Sequence, residues 1–240
     1  MLKSLGILWS VRMLVLSVLL LSNSGFALIG GAETANVKKT LGILLFGDFD
    51  LLDVSGPIEM FANIPGVEIS LIAEQKGLVK SGQGVSLEAT SDLASTGHLD
   101  LLLVPGGMGT RREVDNEKLL TWLKEQAKNS DLVLSVCTGS ALLAKAGLLD
   151  NRKATSNKIA FNWVRQQGPK VKWVEKARFV DDGNIITSSG IAAGIDMSLY
   201  VIARLFGPLE AERIANFSEY FWNKDPNNDP FTKNILAKEM

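Results

Sequence analysis

From Leu41 onward, short and almost unbroken apolar runs alternate with longer stretches whose apolar residues recur every three or four positions. Leu41 to Phe46, Val67 to Ala73, Leu99 to Val104 and Asp131 to Val136 read as strands buried on both faces. Asn116 to Asn129 places Leu119, Leu120, Trp122, Leu123 and Ala127 on one helical stripe between two of those strands, which makes a βαβ unit. Ser55-Gly56-Pro57 offers a cap and a first-turn Pro, so a helix is predicted from there to about Ala62. Gly77 to Ala89, with Ser81-Gly82-Gln83-Gly84 in its middle, predicts a hairpin. Ala141 to Ala146, closed by Gly147, and Ile159 to Gln167 follow as helices. Lys170 to Val174 and Arg178 to Thr187 read as strands, the second broken at Asp181-Asp182-Gly183; Ile191 to Leu205 and Pro208 to Phe221 are the last helices. Residues 223–240 read as an irregular tail. The alternation implies an α/β fold with a mainly parallel central sheet and helices on both faces.

The first residues follow a different pattern. Lys3 and Arg12 precede the apolar run Met13 to Leu21, then come Ser22-Asn23-Ser24-Gly25 and Phe26-Ala27, the order of a secretory signal peptide. The run is short of the roughly 20 residues a membrane span needs. Extended back to cover residues 5–21, it carries Arg12 in its middle. Residues 1–32 are therefore read as a signal peptide, cleaved after Ala27 or Ala32, with an uncleaved anchor as the alternative. The expected location is exported, periplasmic or secreted. Without its leader the protein has no membrane domain in this reading.

Composition removes several function classes. Over 240 residues, 46% hydrophobic and 21% charged, Lys plus Arg (25) and Asp plus Glu (26) leave a formal charge of -1, so no basic excess points to nucleic acid. One Cys and one His exclude an intrachain disulfide, a cysteine-based structural zinc site and a histidine-rich metal cluster. In an oxidising compartment the lone thiol, Cys137, is buried, paired between chains, or reactive.

Ser135-Val136-Cys137-Thr138-Gly139 lies where a buried strand turns into a helix, with a small residue two positions either side of the Cys. This is a nucleophile-elbow pattern carrying a thiol: a tight strand-to-helix turn leaves little room beside the nucleophile and projects it at the C-terminal edge of the sheet. The following helix N-terminus favours a thiolate. A buried structural Cys is the competing reading. Val104-Pro105-Gly106-Gly107 ends the neighbouring strand at the same edge, where the Gly107 and Thr138 amides could form an oxyanion hole; alone, the loop is only a turn. Asp53 lies near that edge too, able either to share a proton with Cys137 or to satisfy helix N-terminal amides. Asp48 to Glu59 has calcium-loop spacing but puts Asp53 where Gly is required, so no metal is expected. His98 approaches its strand from the wrong end for a Cys-His pair. Trp122, Trp163 and Trp173 fit a core role, and Arg111 and Arg112 are either an anion site or solvated charges.

Four segments, LLFGDFDLLDVSGPIEMF, LLLVPGGMGTRR, SVCTGSALLAKAGLLDNRKATSN and ITSSGIAAGIDMSLYVIARLFG, together resemble the ThiJ/PfpI superfamily, with its class I glutamine amidotransferase-like fold, over about residues 38–222. The similar branch is that of isonitrile hydratases and the sensor domains of AraC-type regulators, and the regulators' helix-turn-helix domain has no room before Met240. The resemblance implies a flavodoxin-like sandwich and a homodimer. It also implies that Cys137 is the nucleophile, Asp53 the acid, and Gly107 and Thr138 the oxyanion pocket, with Gly106 and Asn157 as further pocket candidates. Many members carry a His where this chain has Asn157, which counts against amidase-like Cys-His chemistry. The implied activity is cysteine-dependent hydration of a small molecule, an isonitrile giving an N-substituted formamide, with no metal or organic cofactor. The alternative is a non-enzymatic redox- or ligand-sensing domain.

Overall fold

Strands form at the predicted apolar runs and hairpin, and also at two short segments that no apolar run announces, Ser91–Asp92 and Lys153–Ala154. In the computed structural model, which describes residues 38–236, they are β1 (Lys39–Leu44), β2 (Val67–Ala73), β3 (Gly77–Lys80), β4 (Ser86–Ala89), β5 (Ser91–Asp92) and β6 (Leu101–Val104). Next come β7 (Leu132–Ser135), β8 (Lys153–Ala154), β9 (Lys172–Trp173), β10 (Phe179–Asp181) and β11 (Ile185–Ser188). A seven-stranded sheet has the order β10-β11-β7-β6-β1-β2-β5 and is parallel except where β10 meets β11. β3 and β4 pair as the expected hairpin. Every residue of β6, β7 and β11 is buried. Successive side chains point to opposite faces, so both faces of the sheet centre are covered.

The helices are α1 (Leu51–Phe61), α2 (Thr110–Glu113), α3 (Glu117–Asn129), α4 (Gly139–Lys145), α5 (Phe161–Gln167), α6 (Ala193–Phe206), α7 (Pro208–Phe217) and α8 (Lys233–Leu236). α1, α6 and α7 pack together, as do α2, α3, α4 and α5. No helix among the described residues is long and apolar enough to cross a membrane. The expected signal peptide or anchor in residues 1–32 lies outside the described residues.

Two boundaries differ in ways that matter for the site. α1 starts at Leu51, four residues before the predicted Ser55, because the Asp50 carboxylate accepts the Leu52 N–H at 3.2 Å and caps the helix there. Pro57 therefore sits inside the helix and Asp53 in its first turn. α4 starts at Gly139, immediately after the elbow. Beyond α7 the chain has no regular structure until α8, yet it is built into the fold: the Arg178 N–H donates to Pro226 O at 2.8 Å, and Asp229 and Ile235 are buried.

From β1 the chain runs to β2 on one side and later returns to β6 on the other. The C-terminal ends of β1 and β6 thus diverge at a topological switch point, where open α/β sheets leave a crevice.

Candidate active site

Four loops meet at that edge: residues 45–50 after β1, 105–109 after β6, 136–138 after β7 and 189–192 after β11. The Phe49–Gly107 bridge and the Asp50 N–H to Gly106 O bond, at 2.9 Å, lock the first two together. Gly107 has φ +124°, and a Cβ there would lie 2.5 Å from Asp50 N, so no side chain is accommodated. Gly139 is equally constrained, since a Cβ would stand 2.2 Å from Val104 O. The contact at Gly139 explains in atomic terms the small residue that follows the elbow's Cys137.

Cys137 has φ +57°, a left-handed conformation that a non-glycine residue holds at a cost of about 1–3 kcal/mol when its surroundings dictate it. Its N–H donates to Ser189 O at 3.1 Å, and its carbonyl accepts the hydroxyls of Ser140 and Ser156 at 3.2 and 2.9 Å. The side chain is 6% exposed. The sulfur receives the backbone N–H groups of Thr138 and Ile191. Ile191 itself has φ +34°.

Asp53 is fully buried. One oxygen, Oδ2, accepts the Gly106 N–H at 2.8 Å; the other, Oδ1, has no partner of regular hydrogen-bond geometry, although the Cys137 thiol is close enough to interact with the carboxyl. Burial, and then the negative charge of Asp50, push the Asp53 carboxyl well above the usual carboxylate range against the pull of the Gly106 N–H. Burial and the Asp53 charge likewise raise Cys137, outweighing the two amides at its sulfur. The expected thiolate bias of the helix terminus is thus present but overridden. Side by side, the two groups titrate as one unit in which ionising either opposes ionising the other.

The expected oxyanion hole differs. The Gly107 N–H donates to Thr138 Oγ1 at 3.0 Å and the Gly106 N–H serves Asp53, so of these amides only that of Thr138 faces the sulfur. A buried N–H finds whatever acceptor is in reach. The Thr138 hydroxyl also accepts from Thr110 Oγ1 at 3.1 Å, pinning the start of α2 to the elbow. Asn157 caps the turn before α5, its Oδ1 accepting the Ala160 N–H at 3.0 Å. With Lys158, Ile159, Ile191 and Phe231 it lines a cleft of about 340 Å³. His98 is 62% exposed near Asp100, at the opposite end of β6 from Gly106. Trp122 is buried, whereas Trp163 is only half-buried and carries the Arg111 guanidinium 4.1 Å above its ring. No group of metal-ligating side chains occurs among the described residues.

The DJ-1/PfpI family profile matches residues 39–204, which span β1 to α6 and every loop of this site. The chain belongs to the DJ-1/PfpI family. Among curated members it is 34% identical to the isonitrile hydratase of Pseudomonas putida over 75% of this chain and 78% of that one. It is 29% identical to the HTH-type transcriptional regulator GbdR of Pseudomonas aeruginosa over 84% of this chain, but spans only 55% of the regulator. Among solved structures of the fold, a ThiJ/PfpI family protein from Pseudomonas syringae superposes with a TM-score of 0.76 at 26% identity, covering 91% of this chain and 93% of that one.

The sequence reading missed three DJ-1/PfpI site neighbours: the Ile191 N–H, the Ser156 hydroxyl and the Arg111–Trp163 stack. The sequence offers Arg111 as an anion ligand or a solvated charge, but nothing local in it signals the aromatic support.

Proposed function

We propose that this DJ-1/PfpI protein is a cysteine-dependent hydratase that converts an isonitrile to an N-substituted formamide. The observation that carries the reading is the buried Asp53 carboxyl beside Cys137, held in place by the Gly106 N–H, with burial pushing its pKa well above the usual carboxylate range. Isonitrile carbon must receive both a nucleophile and a proton, and this pair offers both at adjacent positions. The similarity to an isonitrile hydratase supports the same chemistry. Cysteine-amidase chemistry lacks its base, because the only His lies near Asp100 and the residue after Ser156 is Asn157.

In this mechanism Cys137 Sγ bonds to the terminal carbon while that carbon takes a proton from Asp53, and Asp53 recovers one from the thiol. The product is a thioimidate. The Thr138 and Ile191 amides hold the sulfur where its charge develops. Water then adds to the imidate carbon, the nitrogen is protonated, and collapse of the tetrahedral centre expels the sulfur. One isonitrile and one water give one formamide, with the free thiol restored.

The test is turnover of a small isonitrile panel, read as formamide by mass. Many formamides per protein, lost in Cys137→Ala, are the expected result. No turnover, with the protein stoichiometrically gaining oxygen mass at Cys137 under mild peroxide, would instead favour redox sensing; the regulator relatives motivate that second reading.

The reading includes export. N-terminal sequencing of the mature protein is expected to begin at Leu28 or Glu33. Recovery of the full leader in the membrane fraction would replace cleavage by anchoring.

A further inference from the structure

Two arginines stand together at the start of α2, and only one of them is neutralised. Arg112 bonds Asp48 and Glu113 at 3.3 and 3.2 Å. Arg111 has no carboxylate within ion-pair distance among the described residues, although it is only partly exposed. Its Nη1 donates to Gly107 O and Thr110 Oγ1 at 3.3 and 3.1 Å, and its Cζ stands 4.1 Å from the centre of the Trp163 ring. Nε and Nη2 have no hydrogen-bond acceptor among the described residues. The guanidinium lies within electrostatic range of Cys137. A guanidinium supported by an aromatic ring, anchored at one nitrogen and with no acceptor at the others, has the two-donor edge that carboxylates bind.

We propose that Arg111, supported by Trp163, selects substrates that carry an anionic group, a carboxylate in the first instance, next to the carbon that Cys137 attacks. Placing the anion on Arg111 sets the reacting carbon over the sulfur, and the guanidinium offsets the anion's own charge beside the thiol that it must approach. Asp50, the other acid close by, is occupied by the Leu52 N–H and the Gln83 amide. Arg111 acts here as a specificity residue and does no proton transfer.

The proposal rests on the hydratase reading for its substrate, but part of its test does not. Cys137 is the only thiol, so its alkylation by iodoacetate and by the neutral iodoacetamide can be followed by intact mass in wild type, Arg111→Gln and Arg111→Lys. Isocyanoacetate and its methyl ester serve as the matching substrate pair. Arg111→Gln is expected to lower the iodoacetate-to-iodoacetamide rate ratio about tenfold, the loss of one charge-assisted hydrogen bond, with Arg111→Lys recovering part of it. The preference for isocyanoacetate over its ester falls in parallel, through KM. Equal slowing of both reagents would overturn the proposal and make Arg111 a thiol-activating group. An unchanged ratio would overturn it outright. If neither isonitrile is turned over but the alkylation ratio collapses, the anion site stands and the hydratase reading fails.

Discussion

Asp53→Asn is expected to give a protein that is more stable at neutral pH and almost inactive. The substitution keeps the shape and leaves an oxygen for the Gly106 N–H, which now donates to Asp53 at 2.8 Å. It removes a carboxylate that the folded chain buries completely and surrounds with too few donors, Oδ1 having no regular partner. Without an acidic proton the side chain cannot serve the isonitrile carbon, and loss of a positioned acid lowers turnover by about 10²–10⁴.

The stability gain has a definite pH signature. Burial first, and the Asp50 charge second, hold the folded-state carboxyl above its ordinary value. Below the unfolded value, about pH 4, both states are protonated and Asp53 adds no ionisation penalty. As pH rises past that point the unfolded chain ionises freely while the folded chain resists, so stability is lost until the raised folded value has been passed. The asparagine variant escapes this loss. Its Tm should match wild type near pH 4 and exceed it near pH 8, by about 2–4 °C for each kcal/mol recovered in a domain of this size. Repeating the comparison in a Cys137→Ala background separates the carboxyl from its coupled thiol. A Tm difference independent of pH, or an asparagine variant less stable at pH 8, would show that the buried carboxylate is not under strain.

The central sheet was legible because its signal is local: an apolar run buried on both faces needs no partner to be recognised, and β2 occupies Val67–Ala73 as the run predicts. The elbow was legible for the same reason, since Ser135 and Gly139 mark a tight turn wherever the strand is placed. What failed to show were choices made between distant segments. Ser55-Gly56-Pro57 looks like a helix start, yet Asp50 caps α1 and brings Asp53 into its first turn. Gly107 looked free to bind an oxyanion, yet Thr138, reached only through the β6–β7 pairing, takes its N–H. The Ile191 amide arrives at the sulfur because β11 lies beside β7, and Arg111 meets Trp163 across most of the chain between α2 and α5. Periodicity reports which face a residue occupies. It does not report which loop will stand opposite.

The clearest case of this is Arg178, read in sequence as one residue of a strand, and it carries the largest expected loss of stability. Its guanidinium Nε and Nη2 each lie 2.8 Å from Asp196 Oδ2, and Asp229 Oδ2 stands 3.8 Å from Nη1 with no other partner. All three residues are buried. Asp196 also accepts the Tyr220 hydroxyl and the Asn223 N–H through Oδ1, so one carboxylate on α6 joins β10's entry to the irregular segment beyond α7. Arg178→Met leaves the aliphatic volume in place but strands two buried carboxylates. Removing one partner of such a pair costs about 3–5 kcal/mol because the remaining buried charge loses its nearest counterion. At 2–4 °C per kcal/mol the Tm is expected to fall by roughly 10 °C. Limited proteolysis should then cut first between Asn223 and Thr232, the stretch that Arg178 ties down through Pro226 O, Asp196 and Asp229. A loss below about 1 kcal/mol, with that stretch still protected, would mean that packing of Trp222 and Ile235 holds the segment and the buried charges contribute little net stability.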